Sequence, residues 1–279
     1  MSDTYILLID GPDQPGLIHK ITGTIFYQGL NIVSNSEFVD QKTNHFFMRS
    51  EFTGDLNCDN LVAGLETALS GDYNIKLAKK VPKKIIILAT KEHHCLADIL
   101  IRHEYKKINA EIQCVISNHQ NLKDLVDRFD IPYHYIPHKD LEREDHEAKI
   151  DEIIPQYDVD YLVLAKYMRI LTPEFVQKYK NKIINIHHSF LPAFVGANPY
   201  EQAFERGVKI IGATSHFVNE ELDQGPIIVQ EVIDVDHSYN SEAMRQAGQD
   251  AEELALAKAL KLVCEDRVFI NENKTVVFK

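Results

Sequence analysis

In the first third of the chain, apolar and polar positions change rhythm several times, and each change predicts an element. Residues 5–9 are a near-continuous apolar run that suits a buried strand. After the turn-rich GPDQPG, Leu17, Ile18, Ile21 and Ile25 recur at helical spacing and mark one apolar helix face. Asp13 is placed to cap that helix, Pro15 to occupy its first turn and Gly16 to allow close backbone approach. Two β-like runs, 31–39 and 45–52, flank the polar DQKTN and predict a hairpin. Leu61, Leu65, Ala68 and Leu69 return to helical spacing, and 73–78 reads as a closing strand. The order βαββαβ predicts a ferredoxin-like unit, the split βαβ arrangement.

The basic stretch Lys79-Lys80-Val81-Pro82-Lys83-Lys84 then breaks the pattern and places a boundary at Pro82, giving domains over 1–82 and 83–279. Beyond it, strands at 85–89, 111–117, 133–136 and 161–165 alternate with helices at about 94–104, 121–129 and 142–156. Such alternation predicts an α/β fold, a mostly parallel, Rossmann-like sheet with helices on both faces. A short strand at 182–187, a helix at 199–206, strands at 210–218 and 227–232, a long helix at 241–264 and strands within 267–278 complete the reading.

Composition acts mainly by exclusion. A length of 279 residues fits two domains, and 44% hydrophobic with 26% charged residues is ordinary for a folded chain. The 30 basic against 42 acidic residues leave a net charge of −12, which repels phosphate backbones, so no nucleic-acid partner is expected. Cys58, Cys95, Cys114 and Cys264 show no CxxC spacing, the N-terminus does not read as a secretory signal, and a cytoplasmic location is expected. No stretch approaches the roughly 20 apolar residues needed to span a bilayer, so no membrane role is expected either.

The candidate chemistry lies late in the chain. In Asn185-Ile186-His187, strand alternation puts the amide and the imidazole on one face, at the carboxyl end of a strand, where open α/β sheets place their sites. The turn-rich segment that follows, from Ser189 to Pro199, suits a wall or lid. His216 and, seven residues later, Asp223 before Gly225-Pro226 add a second imidazole and a carboxylate. Amide, imidazole and carboxylate together suit attack on a small acyl group, with oxyanion stabilisation and proton transfer but no serine or cysteine nucleophile. The same residues also fit plain strand-end and turn roles. No HExxH or comparable spacing is present, and alternation directs His187 and His188 to opposite faces, so no metal is expected.

The stretches IINIHHSFLPAFVGANPY and HFVNEELDQGPI resemble the catalytic domain of the formyltransferase-like enzymes, which use or hydrolyse formyl folates. The resemblance implies that Asn185, His187 and Asp223 are catalytic and that His216 pairs with the aspartate. It also implies that the loop LAKYMRIL holds the folate pteridine through Met168, Arg169, Ile170 and Leu171. Where phosphate-binding members have a glycine-rich loop, this chain reads Thr90-Lys91-Glu92-His93-His94-Cys95-Leu96, and Glu92, His93 and His94 are candidates for closing an acceptor site. The RNA-acting members carry a basic domain and usually an arginine near the position of Val195, against the acidic balance here. The deformylase branch remains. The first domain resembles an ACT domain, which implies an amino-acid effector, such as glycine or methionine, near Asp13, Gly16 and Asn31, and homo-oligomers formed through exposed sheet edges.

The expected activity is hydrolysis of 10-formyltetrahydrofolate to formate and tetrahydrofolate, supplying formate for purine synthesis and balancing the one-carbon pool. The folate is the substrate, and no cofactor is expected. Two other readings stay open: a formyltransferase with an unidentified acceptor, and an amino-acid-sensing protein with an inert catalytic domain.

Overall fold

The computed structural model describes residues 3–192 and 199–279, and the 193–198 part of the turn-rich wall or lid, including Val195, lies outside the described residues. The first unit runs β1 (Thr4–Pro12), α1 (Leu17–Tyr27), β2 (Asn31–Asp40), β3 (His45–Thr53), α2 (Cys58–Ala68) and β4 (Asn74–Lys79). Its strands form an antiparallel sheet in the order β2-β3-β1-β4. Leu17, Ile21 and Ile25 of α1 and Leu61 and Leu65 of α2 are buried with Leu7, Ile9, Phe46, Met48 and Phe52 of the sheet. Each such side chain taken fully from water contributes about 1.5–3 kcal/mol before the entropy of ordering it is counted. Ile18 points away from this face and is 44% exposed, unlike the pattern expected of it.

The start of α1 also differs from its sequence reading. Gly16 is the N-cap, at φ 87°, a left-handed conformation that glycine takes without strain. A Cβ at Gly16 would meet nothing within 4 Å, so backbone angle, not close approach, accounts for this glycine. Asp13 caps nothing; its N–H bonds to the Asn44 carbonyl at 2.9 Å, and Pro15 lies before the helix.

The second unit carries β5 (Lys83–Ala89), α3 (His94–Glu104), β6 (Ala110–Ser117), α4 (Lys123–Asp127), β7 (Tyr133–Tyr135), α5 (Arg143–Asp151), β8 (Tyr161–Ala165), α6 (Pro173–Lys178), β9 (Ile183–His187), α7 (Pro199–Arg206), β10 (Ile210–Phe217), β11 (Ile227–Asp234) and α8 (Ser241–Cys264). The sheet order is β11-β10-β9-β8-β5-β6-β7. Pairs from β7 through β9 are parallel, whereas β10 runs antiparallel to both β9 and β11. Ile86, Leu88, Ile116, Leu162 and Ile183 are buried in one core of this sheet, as expected of strands covered on both faces. The helix α6 has no counterpart in the sequence reading. Its 6 residues are too few for a helical period, but Thr172 caps it by accepting from the Phe175 N–H and Pro173 opens it. The helix expected over 142–156 ends at Asp151, with a 3₁₀ turn at Ile154–Gln156.

A last hairpin, β12 (Val268–Asn271) and β13 (Lys274–Val277), follows α8. Compactness divides the chain at Val81/Pro82 but assigns Glu265–Phe269 and Val276–Lys279 to the first unit. Phe269 and Phe278 share a small apolar cluster with Phe47. The buried Arg49 donates to the Asp266 and Glu265 carbonyls at 3.0 and 2.9 Å. The C-terminus therefore differs from a boundary drawn at a single linker. Among the described residues no helix is long and apolar enough to cross a membrane.

Candidate active site

The carboxyl ends of β8 and β9 open onto a cavity of about 600 Å³ within the second unit. Sheet order places the divergence of chain direction between β5 and β8, the point at which doubly wound sheets leave a crevice. Asn185, His187, His216 and Asp223 all line this cavity, as do Met168, Arg169, Ile170 and Leu171.

The pairing of β9 with β10 sets Asn185 opposite His216 and His187 opposite Thr214. Cross-strand neighbours of this kind have their side chains within reach of one another. His216 Nδ1 lies 2.8 Å from the Phe217 carbonyl, which only accepts, so Nδ1 carries the proton. Burial lowers the His216 pKa, partly offset by that carbonyl and by Asp223. With Nδ1 donating to that carbonyl, Nε2 offers its lone pair, and Asn185 Nδ2, an amide nitrogen that only donates, lies 3.2 Å from it. This bond fixes which way the Asn185 amide faces.

Asp223 sits in the loop between β10 and β11 with φ 58°, which aspartate tolerates better than most residues. Gly225 fixes the loop: a Cβ there would lie 1.7 Å from the Phe217 oxygen, and the Phe217 N–H bonds to the Pro226 carbonyl at 2.9 Å. Any side chain at Gly225 would push the loop, and Asp223 with it, off the end of β10. Burial on its own would raise the Asp223 carboxyl pKa. The hydrogen bond and charge of His187, with help from His216, hold it below the usual value.

The structure differs from expectation in which imidazole touches the aspartate. His187 Nδ1 is 3.2 Å from Asp223 Oδ1, whereas His216 Nε2 is 3.9 Å away and bonded to Asn185 instead. The other ring nitrogen of His187, Nε2, is buried and has no hydrogen-bond partner among the described residues. His187 and His188 do not point to opposite faces: their rings stack at 4.9 Å, and both line the cavity. Alternation fails because β9 ends at His187, leaving His188 in the following loop.

The 166–171 loop is held from two sides. Met168 donates its N–H to Thr90 Oγ1 at 2.9 Å, and Glu147 accepts from both the N–H and the hydroxyl of Thr172. Between these anchors Met168 and Ile170 are 58% and 47% exposed, an apolar rim suited to a flat aromatic ring.

Sequence reasoning missed a second cluster on the same cavity. Glu252, from α8, is fully buried and accepts from Tyr200 at 2.6 Å on Oε1, while Oε2 meets His94 Nε2 at 2.7 Å and Lys166 Nζ at 3.1 Å. Burial alone would raise its pKa, but the bond from His94 and the Lys166 charge lower it to about 2. Of the residues expected to close an acceptor site, Glu92 lines the cavity, His94 is buried against Glu252, and His93 is exposed. His94, Cys95 and Glu252 also form a grouping of metal-type donors among the described residues. Both Glu252 oxygens are already engaged and the Lys166 ammonium would repel a cation, so this set does not fit a metal.

The residues proposed for an effector do not converge within the chain. Asp13 follows the end of β1 that pairs with His45, and Gly16 lies just beyond it; Asn31 pairs with Thr53 at the opposite end of the sheet. At the usual strand rise this separates them by about 25 Å.

Residues 83–260 match the formyl transferase family. A formyltetrahydrofolate deformylase of Haemophilus influenzae is 54% identical to this chain, over 99% of it and 100% of the relative. The crystal structure of a formyltetrahydrofolate deformylase from Pseudomonas syringae superposes with a TM-score of 0.95 at 39% identity, covering 100% of this chain and 95% of that one. One from Burkholderia mallei gives 0.93 at 35% identity, covering 99% and 100%.

Proposed function

The chain belongs to the formyl transferase family and, within it, to the formyltetrahydrofolate deformylases; from that premise we propose how its cavity hydrolyses 10-formyltetrahydrofolate to formate and tetrahydrofolate. The pteridine lies against the rim formed by Met168, Arg169, Ile170 and Leu171, which brings the formyl group toward His187. The Asp223 carboxylate takes a proton from water as the water oxygen bonds to the formyl carbon. Negative charge collects on the former carbonyl oxygen, where the Asn185 amide N–H and an N–H at His187 Nε2 receive it. Collapse breaks the bond from carbon to nitrogen, and the departing nitrogen takes the proton. His216 serves by fixing the orientation of Asn185. No metal or cofactor enters this scheme.

The observation that carries the reading is the buried, unpartnered His187 Nε2 beside Asp223 on the cavity wall. Leaving such a nitrogen without a partner costs free energy, which a substrate oxygen would recover. The proposal extends to the first unit: an ACT-like regulatory domain whose edge strands β2 and β4 pair copies of the chain. Because Asn31 lies far from Asp13 and Gly16 within one chain, an amino-acid site using all of them needs two copies. The formate released would be available to purine synthesis and the one-carbon pool.

Formate measured from purified protein and 10-formyltetrahydrofolate, with no amine present, tests the activity. Release over many turnovers is expected. Release only after an amine is added would favour a transferase, and none under any condition an inert domain.

A further inference from the structure

The cavity has two buried sets of polar side chains, and only one is accounted for by hydrolysis. The other is anchored by Lys166, whose backbone has φ 58°, in the left-handed region. Glycine adopts that conformation without strain, but lysine does not, so this position favours losing its side chain unless the side chain does something. The Lys166 side chain lies buried along the cavity wall and ends 3.1 Å from Glu252 Oε2.

The partners are built to the same end. Tyr200 reaches the other oxygen of Glu252 and presses on α8 at Gly248, one turn before Glu252. A Cβ at Gly248 would fall 2.1 Å from the Tyr200 ring, so only glycine lets the ring lie there. His94 holds Glu252 from α3. Lys166, Tyr200 and Glu252 line the same cavity as the folate rim and Asp223, so a second substrate admitted to this cavity would meet them.

We infer that Lys166, held on Glu252 by a network with Tyr200 and His94, is a specificity-determining residue that closes this approach to amines and reserves the formyl carbon for water. The closure is steric: the buried side chain takes up this part of the wall, and its pairing with Glu252 holds it there. The inference rests on the hydrolytic reading above. If the approach were opened, an amine nitrogen would bond to the formyl carbon, the bond to the folate nitrogen would break, and the amine proton would pass through Asp223 to that nitrogen. No oxidant or reductant is involved.

The test is a product ratio. Wild type, Lys166→Gly and Lys166→Asn are incubated with 10-formyltetrahydrofolate with and without glycinamide, and formate and N-formylglycinamide are quantified. Both replacements tolerate positive φ, and melting curves establish which variants are folded. Wild type is expected to yield formate with only a trace of N-formylglycinamide. In a folded variant the ratio of N-formylglycinamide to formate is expected to rise by about 10–100-fold, the scale set by pocket-filling groups. A merely structural role for Lys166 would lower both products together and leave the ratio unchanged. An unchanged ratio in a folded variant overturns the inference. So does wild-type protein that formylates glycinamide as fast as it releases formate, whatever the variants do. Failure of the hydrolytic reading is distinct: wild type would then release no formate in the absence of amine.

Discussion

Two polar clusters face one cavity and are finished differently. Around Glu252 the carboxylate is saturated: Tyr200, His94 and Lys166 take both oxygens, and the group sits fully buried as a stable anion. Around Asp223 satisfaction is incomplete: His187 spends one nitrogen on the carboxylate and leaves the other buried with no partner. The contrast separates architecture from chemistry. The difference lies in the carboxylates, since His94 Nδ1 is also buried without a hydrogen bond, 3.6 Å from Glu92 Oε2: a carboxylate engaged at both oxygens holds shape, whereas Asp223, met by both imidazoles at Oδ1, is left able to take a proton.

Breaking the unsaturated cluster at its carboxylate has the largest expected effect. Asp223→Asn should lower formate turnover by about 10²–10⁴-fold while the melting temperature changes little, measured by a formate assay beside a thermal scan. If the clusters differ as described, Glu252→Gln does the reverse. It leaves Lys166 buried without its counter-charge and should cost about 3–5 kcal/mol of stability in denaturant titration.

The pH dependence of that second effect has a definite sign. The Glu252 carboxyl is lowered from 4.5 to about 2 in the folded protein, so its stabilising contribution is fully present above pH 4.5 and fades as pH falls toward 2. The stability gap between wild type and Glu252→Gln should therefore be constant from neutral pH to about 4.5 and shrink below it. A gap that widened on acidification would contradict the assignment.

Within the unsaturated cluster, Asn185→Ala and His187→Ala should each reduce turnover by about 10²–10³-fold, as loss of one oxyanion donor does. His216→Ala removes the acceptor that orients Asn185 and the longer of the two imidazole contacts to Asp223. About one neutral hydrogen bond is at stake, so a loss of roughly 5–10-fold is expected. A drop as deep as that of Asp223→Asn would move His216 from positioning into the reaction itself.

The two clusters were not equally legible in the sequence. Asn185 and His187 could be placed on one face because strand alternation is local, and the βαββαβ order and parallel sheet followed from periodicity in the same way. The bond between Asn185 and His216 could not, since it depends on the register of β10 against β9 across 31 residues. Lys166 reads as an ordinary charge after an apolar strand and Glu252 as one of two adjacent acids on a long helix. Only the packing of α8, α3 and α7 near the end of β8 makes them partners. Glycine roles were hidden for a related reason: Gly225 is required by the Phe217 carbonyl across the turn and Gly248 by the Tyr200 ring, and neither contact follows from periodicity.

The central claim is that Asp223 directs water onto the formyl carbon, and isotope labelling addresses it most directly. With 10-formyltetrahydrofolate in ¹⁸O-water, with no amine present, wild-type protein should release formate carrying one solvent oxygen, stoichiometric with tetrahydrofolate, and folded Asp223→Asn should release almost none. Labelled formate produced by Asp223→Asn at the wild-type rate would contradict the account.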